Sequence, residues 1–142
     1  MARTPVQDLA WPFEELAFQP LPVSGDDGVP QVFLVQLGDT VYRLGLGVTY
    51  ASTDVVLAPQ FAGLFFDLPD PALGLYLELR LEQENRPPET RFLGVQRVVL
   101  DVPFAIGPAV FRFSRIRLAQ ANLTGPGAFG SEIVADVAVQ DV

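Results

Sequence analysis

Hydrophobic and polar residues alternate with period two over most of this chain. Leu75, Leu77, Leu79 and Leu81 are separated by Tyr76, Glu78, Arg80 and Glu82, which puts the leucines on one face of a strand and the polar residues on the other. A helix would scatter the same leucines around its circumference. The alternation also runs through Val32 to Leu37 and Thr40 to Tyr50, two segments joined by Gly38-Asp39, which tolerate the positive φ of a tight hairpin turn. In the second segment Tyr42, Leu44, Leu46, Val48 and Tyr50 are expected to face the core, and Val41, Arg43, Gly45, Gly47 and Thr49 the other way. Gly45 and Gly47 then leave the outer face nearly bare, which suits a sharply curved strand or the close approach of another backbone. Val55 to Ala58 and Leu64 to Leu68 read as further short strands, the second ended by the turn Pro69-Asp70-Pro71. Gln83 to Thr90, polar and carrying Pro87-Pro88, reads as an exposed loop, and Phe92 to Val102 as extended chain stopped by Pro103. After a Gly107-Pro108 turn, Phe111 and Phe113 share one parity while Ile116 and Leu118 have the other, which predicts a bulge near Ser114 that resets the register. Ile133, Ala135, Val137 and Val139 form the inward row of a last strand.

These segments predict an all-β fold, an antiparallel β-sandwich or small barrel of about eight strands, occupying residues 31–142. Residues 1–30 differ in kind. Pro5, Pro12, Pro20, Pro22 and Pro30 forbid a long helix or a central strand, so this stretch is expected to be an extended arm. Trp11, Phe13, Leu16 and Phe18 require that it be seated on something, either its own domain's core or a neighbouring subunit.

Composition narrows the chemistry. At 142 residues the chain supports one core, and with 49% hydrophobic and 18% charged residues it must bury much of itself. All nine cationic side chains are arginine, lysine is absent, and the net charge is −8. The missing lysine reads as a coding bias without structural meaning. A strongly acidic chain lacks the basic stripe that displaces counterions from phosphates, so nucleic acid is not an expected partner. No apolar run is long enough for a membrane helix and the amino terminus has no signal-peptide pattern, so synthesis in the cytoplasm and no membrane partner are expected. Without His or Cys there is no imidazole-assisted nucleophile, no thiolate and none of the preferred zinc ligands; without Lys there is no Schiff base. Carboxylate pairs remain, such as Asp67 with Asp70 or Glu82 with Glu84, but acidic groups at strand ends and loops are ordinarily just solvated. No enzyme activity, cofactor or metal is expected.

Three other segments resemble chemical motifs only in their letters. Gly125-Pro126-Gly127-Ala128-Phe129-Gly130 fits GxGxxG, but a strand follows it where a dinucleotide site needs a helix, so a glycine-rich hairpin loop is expected. Ser24-Gly25-Asp26-Asp27-Gly28 has too few carboxylates for a tight calcium site and reads as a turn. Asn122-Leu123-Thr124 is a glycosylation sequon by chance. Arg112, Arg115 and Arg117, interleaved with Phe111 and Phe113, are expected to pair with carboxylates of this chain or of a neighbour.

The run Val32 to Leu44, followed by Gly63-Leu64-Phe65-Phe66-Asp67-Leu68, resembles the opening of the baseplate plug family, small β-sandwich proteins of bacteriophage tails. The likeness covers residues 31–68 and extends to 107–139, where Gly127-Ala128-Phe129-Gly130 precedes a closing strand. The loop Ala51 to Phe61 is longer than that pattern, and the N-terminal arm has no counterpart in it. The resemblance implies a non-enzymatic virion component, part of a tail or baseplate, that packs against other virion proteins or copies of itself. The candidate interface comprises Trp11, Phe13 and Phe18 of the arm, the bare face at Gly45 and Gly47, and Arg112, Arg115 and Arg117. The competing expectation is a binding module for a small apolar ligand or a carbohydrate, held between the sheets or on Tyr42, Tyr50 and Tyr76.

Overall fold

The computed structural model describes residues 16–51 and 56–140. The alternating segments form two antiparallel sheets packed face to face, a β-sandwich. The four-stranded sheet runs β2 (Gln31–Leu37), β3 (Thr40–Thr49), β5 (Tyr76–Gln83) and β6 (Phe92–Arg97). The five-stranded sheet runs β1 (Gln19–Pro20), β9 (Glu132–Val139), β8 (Ala109–Ala119) and β4 (Phe65–Asp67). Its fifth strand, β7 (Phe104–Ile106), shares with β4 the same long neighbour: β7 pairs the start of β8 and β4 its end.

The inward rows are those that the alternation predicts except at the end of β9, where Val139 is exposed and Ala138 is buried. Leu75, Leu77, Leu79 and Leu81 are fully buried, as are Leu44 and Leu46 on β3, against Phe111, Phe113, Ile116 and Leu118 of the opposite sheet. Each such side chain contributes about 1.5–3 kcal/mol by leaving water. The hairpin closes on Gly38, whose φ of 63° fits a two-residue turn between Leu37 and Thr40. The bulge falls at Ser114: Phe113 pairs with Ala135 and Arg115 with Val134, which returns Ile116 and Leu118 to the core after the parity change.

Three expectations change. Val55 lies outside the described residues, and Val56–Ala58 is not a strand; Val56 is buried in a helical turn, and the Gln120 side-chain amide donates to the carbonyls of Val56 and Ala58 that a neighbouring strand would otherwise use. The stretch 92–102 ends as a strand at Arg97, after which the chain crosses between sheets and forms β7, a strand the alternation did not reveal. The expected arm divides: residues 1–15 lie outside the described residues, while 19–30 belong to the sandwich. β1 pairs with β9, Leu21 donates its N–H to Ala135, and Leu21 and Val29 are buried in the core. No helix of the described residues is long and apolar enough to cross a membrane.

Candidate functional site: the glycine-floored face of the four-stranded sheet

The outer face of the four-stranded sheet is organised by register. Val32 lies beside Gly45, Gly45 beside Arg80 and Arg80 beside Val95; one step along, Gly47 lies beside Glu78 and Glu78 beside Arg97. Because two consecutive outward positions of β3 lack a side chain, a trough of about 320 Å³ opens there, walled by Pro30 and Val32 on one side and by Glu78, Arg80 and Val95 on the other. Val32 and Val95 at its sides are apolar and exposed, at 62% and 53%, and the neighbouring Leu34 on β2 is exposed at 55%.

Packing does not require those glycines. A Cβ at Gly47 would touch nothing within 4 Å, and one at Gly45 would make ordinary contacts with Val32 at 3.8 Å and Arg80 at 3.9 Å. Neither has a left-handed φ. Glycine inside a strand destabilises by roughly 0.5–1 kcal/mol relative to alanine, so the bare floor runs against local stability and leaves open space above the strand.

Several charged groups of this sheet are engaged within the chain. Arg43 donates to both carboxylate oxygens of Glu84, at 2.8 and 3.0 Å. Those hydrogen bonds, with the charges of Arg43 and Arg91, hold the Glu84 carboxyl below its usual range against a partial loss of hydration, and the same pairing raises Arg43. Arg80 lies over the Phe92 ring at 4.3 Å and Arg97 over Tyr76 at 4.0 Å.

The three arginines of β8 lie on the other sheet, away from the glycine floor. Arg112 bonds Asp136 at 3.1 Å and covers the Phe18 ring at 4.4 Å; Arg115 meets Glu132 at 3.3 Å; Arg117 covers Phe65 at 4.7 Å. Phe18, Arg112, Arg115 and Arg117 therefore make contacts within this chain, and they are not gathered with Gly45 and Gly47 into one surface. Trp11 and Phe13 lie outside the described residues. With four of the arginines stacked on aromatic rings, an all-arginine composition acquires a structural use, since a planar guanidinium lies flat on a ring where an ammonium does not.

Three segments that looked like separate motifs converge at one end of the five-stranded sheet. Asn122, fully buried, donates through its side-chain nitrogen to the carbonyls of Gly125 and Gly127, both at 3.2 Å, and accepts from the Ser131 hydroxyl. The Asp26 carboxylate accepts the backbone N–H groups of Gly130 at 2.9 Å and Ser131 at 2.8 Å. Gly28, at φ 71°, packs so close that a Cβ would overlap the Gly125 carbonyl. The calcium-like turn, the sequon and the glycine-rich loop are thus one polar knot that fastens the loop before β9. The Asn122 amide is inaccessible to a glycosyltransferase in this fold, and the Asp26 oxygen is occupied by the loop's own donors. The sequence signal for this knot was the proximity of Asn, Gly and Ser, but their partner, Asp26, lies about a hundred residues earlier.

Members of both carboxylate pairs have structural partners. Asp70 caps a short 3₁₀ turn by accepting from the Leu73 N–H, and Glu84 is held by Arg43. Among the described residues no group of three or more His, Cys, Asp or Glu is placed to hold a metal ion. Tyr42 is buried in the core, Tyr50 packs against it, and Tyr76 lies beneath Arg97. Compared with known proteins, the chain matches no family model, no curated protein and no solved structure.

Proposed function

We propose that this chain is a non-catalytic structural subunit of a multi-chain assembly, which seats a neighbouring chain in the trough over Gly45 and Gly47. The observation that carries this reading is the floor itself. Two strand glycines stand where a side chain would fit, between exposed apolar residues at Val32 and Val95, with exposed Leu34 nearby. A protein neighbour suits such a surface, because a backbone or an apolar side chain can lie directly on bare strand, and the adjacent Glu78 and Arg80 offer polar contacts at the edge. The engagement of Asp26, Asp70, Glu84, Glu132 and Asp136 in caps, ion pairs and backbone contacts further supports a scaffold over a hydrolase. A bacteriophage tail or baseplate is the setting that the sequence likeness of residues 31–68 and 107–139 suggests, with other virion proteins or further copies of the chain as the neighbours.

The test is to fill the trough. Gly47→Trp should leave the fold and its melting temperature nearly unchanged while lowering the mass of the complex formed with the proteins encoded beside it, measured by light scattering on a sizing column. A complex of unchanged mass and affinity would refute the trough as the seat.

A further inference from the structure

The four-stranded sheet has two edges of opposite character. β6 is protected: its pairing with β5 shifts register between Leu81 and Glu82, and it ends in Arg97. β2 has no such device. Gln31–Leu37 holds no proline and no charge, and it pairs with β3 in unbroken register over seven residues. Among the strands of six residues or more it alone is uncharged. Natural sheets commonly blunt an edge with charge, proline or a bulge, and an edge left long, straight and apolar is a template for another strand.

The hairpin fixes which backbone groups are left over. Leu37 and Thr40 flank the two-residue turn and form its hydrogen-bonded pair; the pattern then alternates, so Val35, Phe33 and Gln31 bond to β3. Val32, Leu34 and Gln36 direct their N–H and C=O groups to the open edge, and among the described residues no backbone group pairs with them there. These three residues are symmetric about Leu34.

From that symmetry we propose that β2 pairs antiparallel with β2 of a second copy, about a two-fold axis at Leu34, joining two four-stranded sheets into one continuous sheet. Leu34 then faces Leu34 of the partner, and Val32 faces Gln36 in both directions. All the outward groups are satisfied at once, in about six hydrogen bonds. A strand shifted by two residues would leave some unmade. Charge points to the same place. Two chains of net charge −8 repel each other, so self-contact is least opposed where neither copy carries charge, and the β2 edge meets that condition. The contact also brings the exposed side chains of Val32 and Leu34 from both copies into one apolar ridge beside the trough.

The chain has no cysteine, which allows a clean test. Across a hydrogen-bonded antiparallel pair the Cα atoms are about 5.5 Å apart, within disulfide reach. Under mild oxidation the full-length Leu34→Cys protein should form a covalent dimer more than about tenfold faster than Val32→Cys or Gln36→Cys alone, because only Leu34 meets itself. Mixing Val32→Cys with Gln36→Cys should restore fast cross-linking. In hydrogen exchange on the unmodified chain, the amides of Val32, Leu34 and Gln36 should slow as concentration rises, while those of Phe33 and Val35 stay constant. Equal cross-linking rates at the three positions, or edge amides indifferent to concentration, would overturn the pairing. Gly47→Trp should leave the Leu34→Cys cross-link intact, so failure of the trough reading and failure of the edge pairing can be told apart.

Discussion

The two outer faces of the sandwich solve the same exposure problem differently. On the five-stranded sheet, Arg112, Arg115 and Arg117 lie over Phe18, Phe65 and the carboxylates of Asp136 and Glu132, so much of the face is engaged within the chain, although Val134 stays exposed. On the four-stranded sheet, arginines cover Phe92 and Tyr76 at one side, but the centre is glycine and the far rim is bare Val32 and Leu34. Both faces belong to strands with equally buried inner rows. The difference therefore lies in what covers each face, and it is the reason the proposed seat of a neighbouring chain is placed on the glycine side.

The largest effect tests the premise that the two faces share one interior. Leu79→Asp places a charge in a fully buried row and should destabilise by about 3–5 kcal/mol, lost burial and desolvation combined. Arg80→Asp, the next residue, loses its stacking on Phe92 and gains acidic neighbours, at about 1 kcal/mol. Urea midpoints in the reverse order would mean that the faces are misassigned. On the five-stranded side, Asn122→Ala strips the knot of its donor and leaves partly buried carbonyls without that partner, for a loss of about 1–3 kcal/mol in chemical denaturation.

Smaller changes sharpen the contrast between the coverings. Arg112→Ala should destabilise by about 1 kcal/mol, since it removes both an ion pair and a ring contact. Gly47→Ala should instead be neutral or stabilising, by up to roughly 0.5–1 kcal/mol. Thermal melts of the pair would decide; a destabilising Gly47→Ala would mean that the floor is needed for folding and would remove the argument for a docked neighbour. The smallest effect is that of pH. Glu84 is held below its ordinary value by Arg43, so in the folded state it stays charged at a pH where the unfolded chain has begun to bind a proton. Its contribution is complete above the unfolded value and disappears as pH falls through the lowered one. Comparing wild type with Glu84→Gln across acid pH should show a modest difference that closes below that range.

How much of this was legible depended on distance along the chain. The leucine row of β5, the Gly38-Asp39 hairpin and the bulge at Ser114 could be read because a period of two is a local property, and each lies within one strand or its nearest neighbour. β7 was hidden because three residues carry no period, and β1 because a proline-rich pair argues against a strand except at an edge, which is where it sits. The bare positions Gly45 and Gly47 were visible, but their walls were not: Val32, Arg80 and Val95 come from three other strands. The β8 arginines were expected to pair with carboxylates, and two do, yet their stacking on Phe18 and Phe65 depends on strands distant in sequence.

By itself the amino-acid order determined which side chains face inward, since the backbone pleat turns alternate residues to opposite sides whatever their neighbours are, and it excluded chemistry that needs His, Cys or Lys. Tertiary structure alone decided that the end of the proline-rich stretch joins the five-stranded sheet, that Asp26 reaches Asn122's loop, and that β2 is left at an edge. Those outcomes depend on which strands become neighbours. Neighbour choice is settled by the burial of all the inner rows together, a sum over the whole chain that no single segment contains.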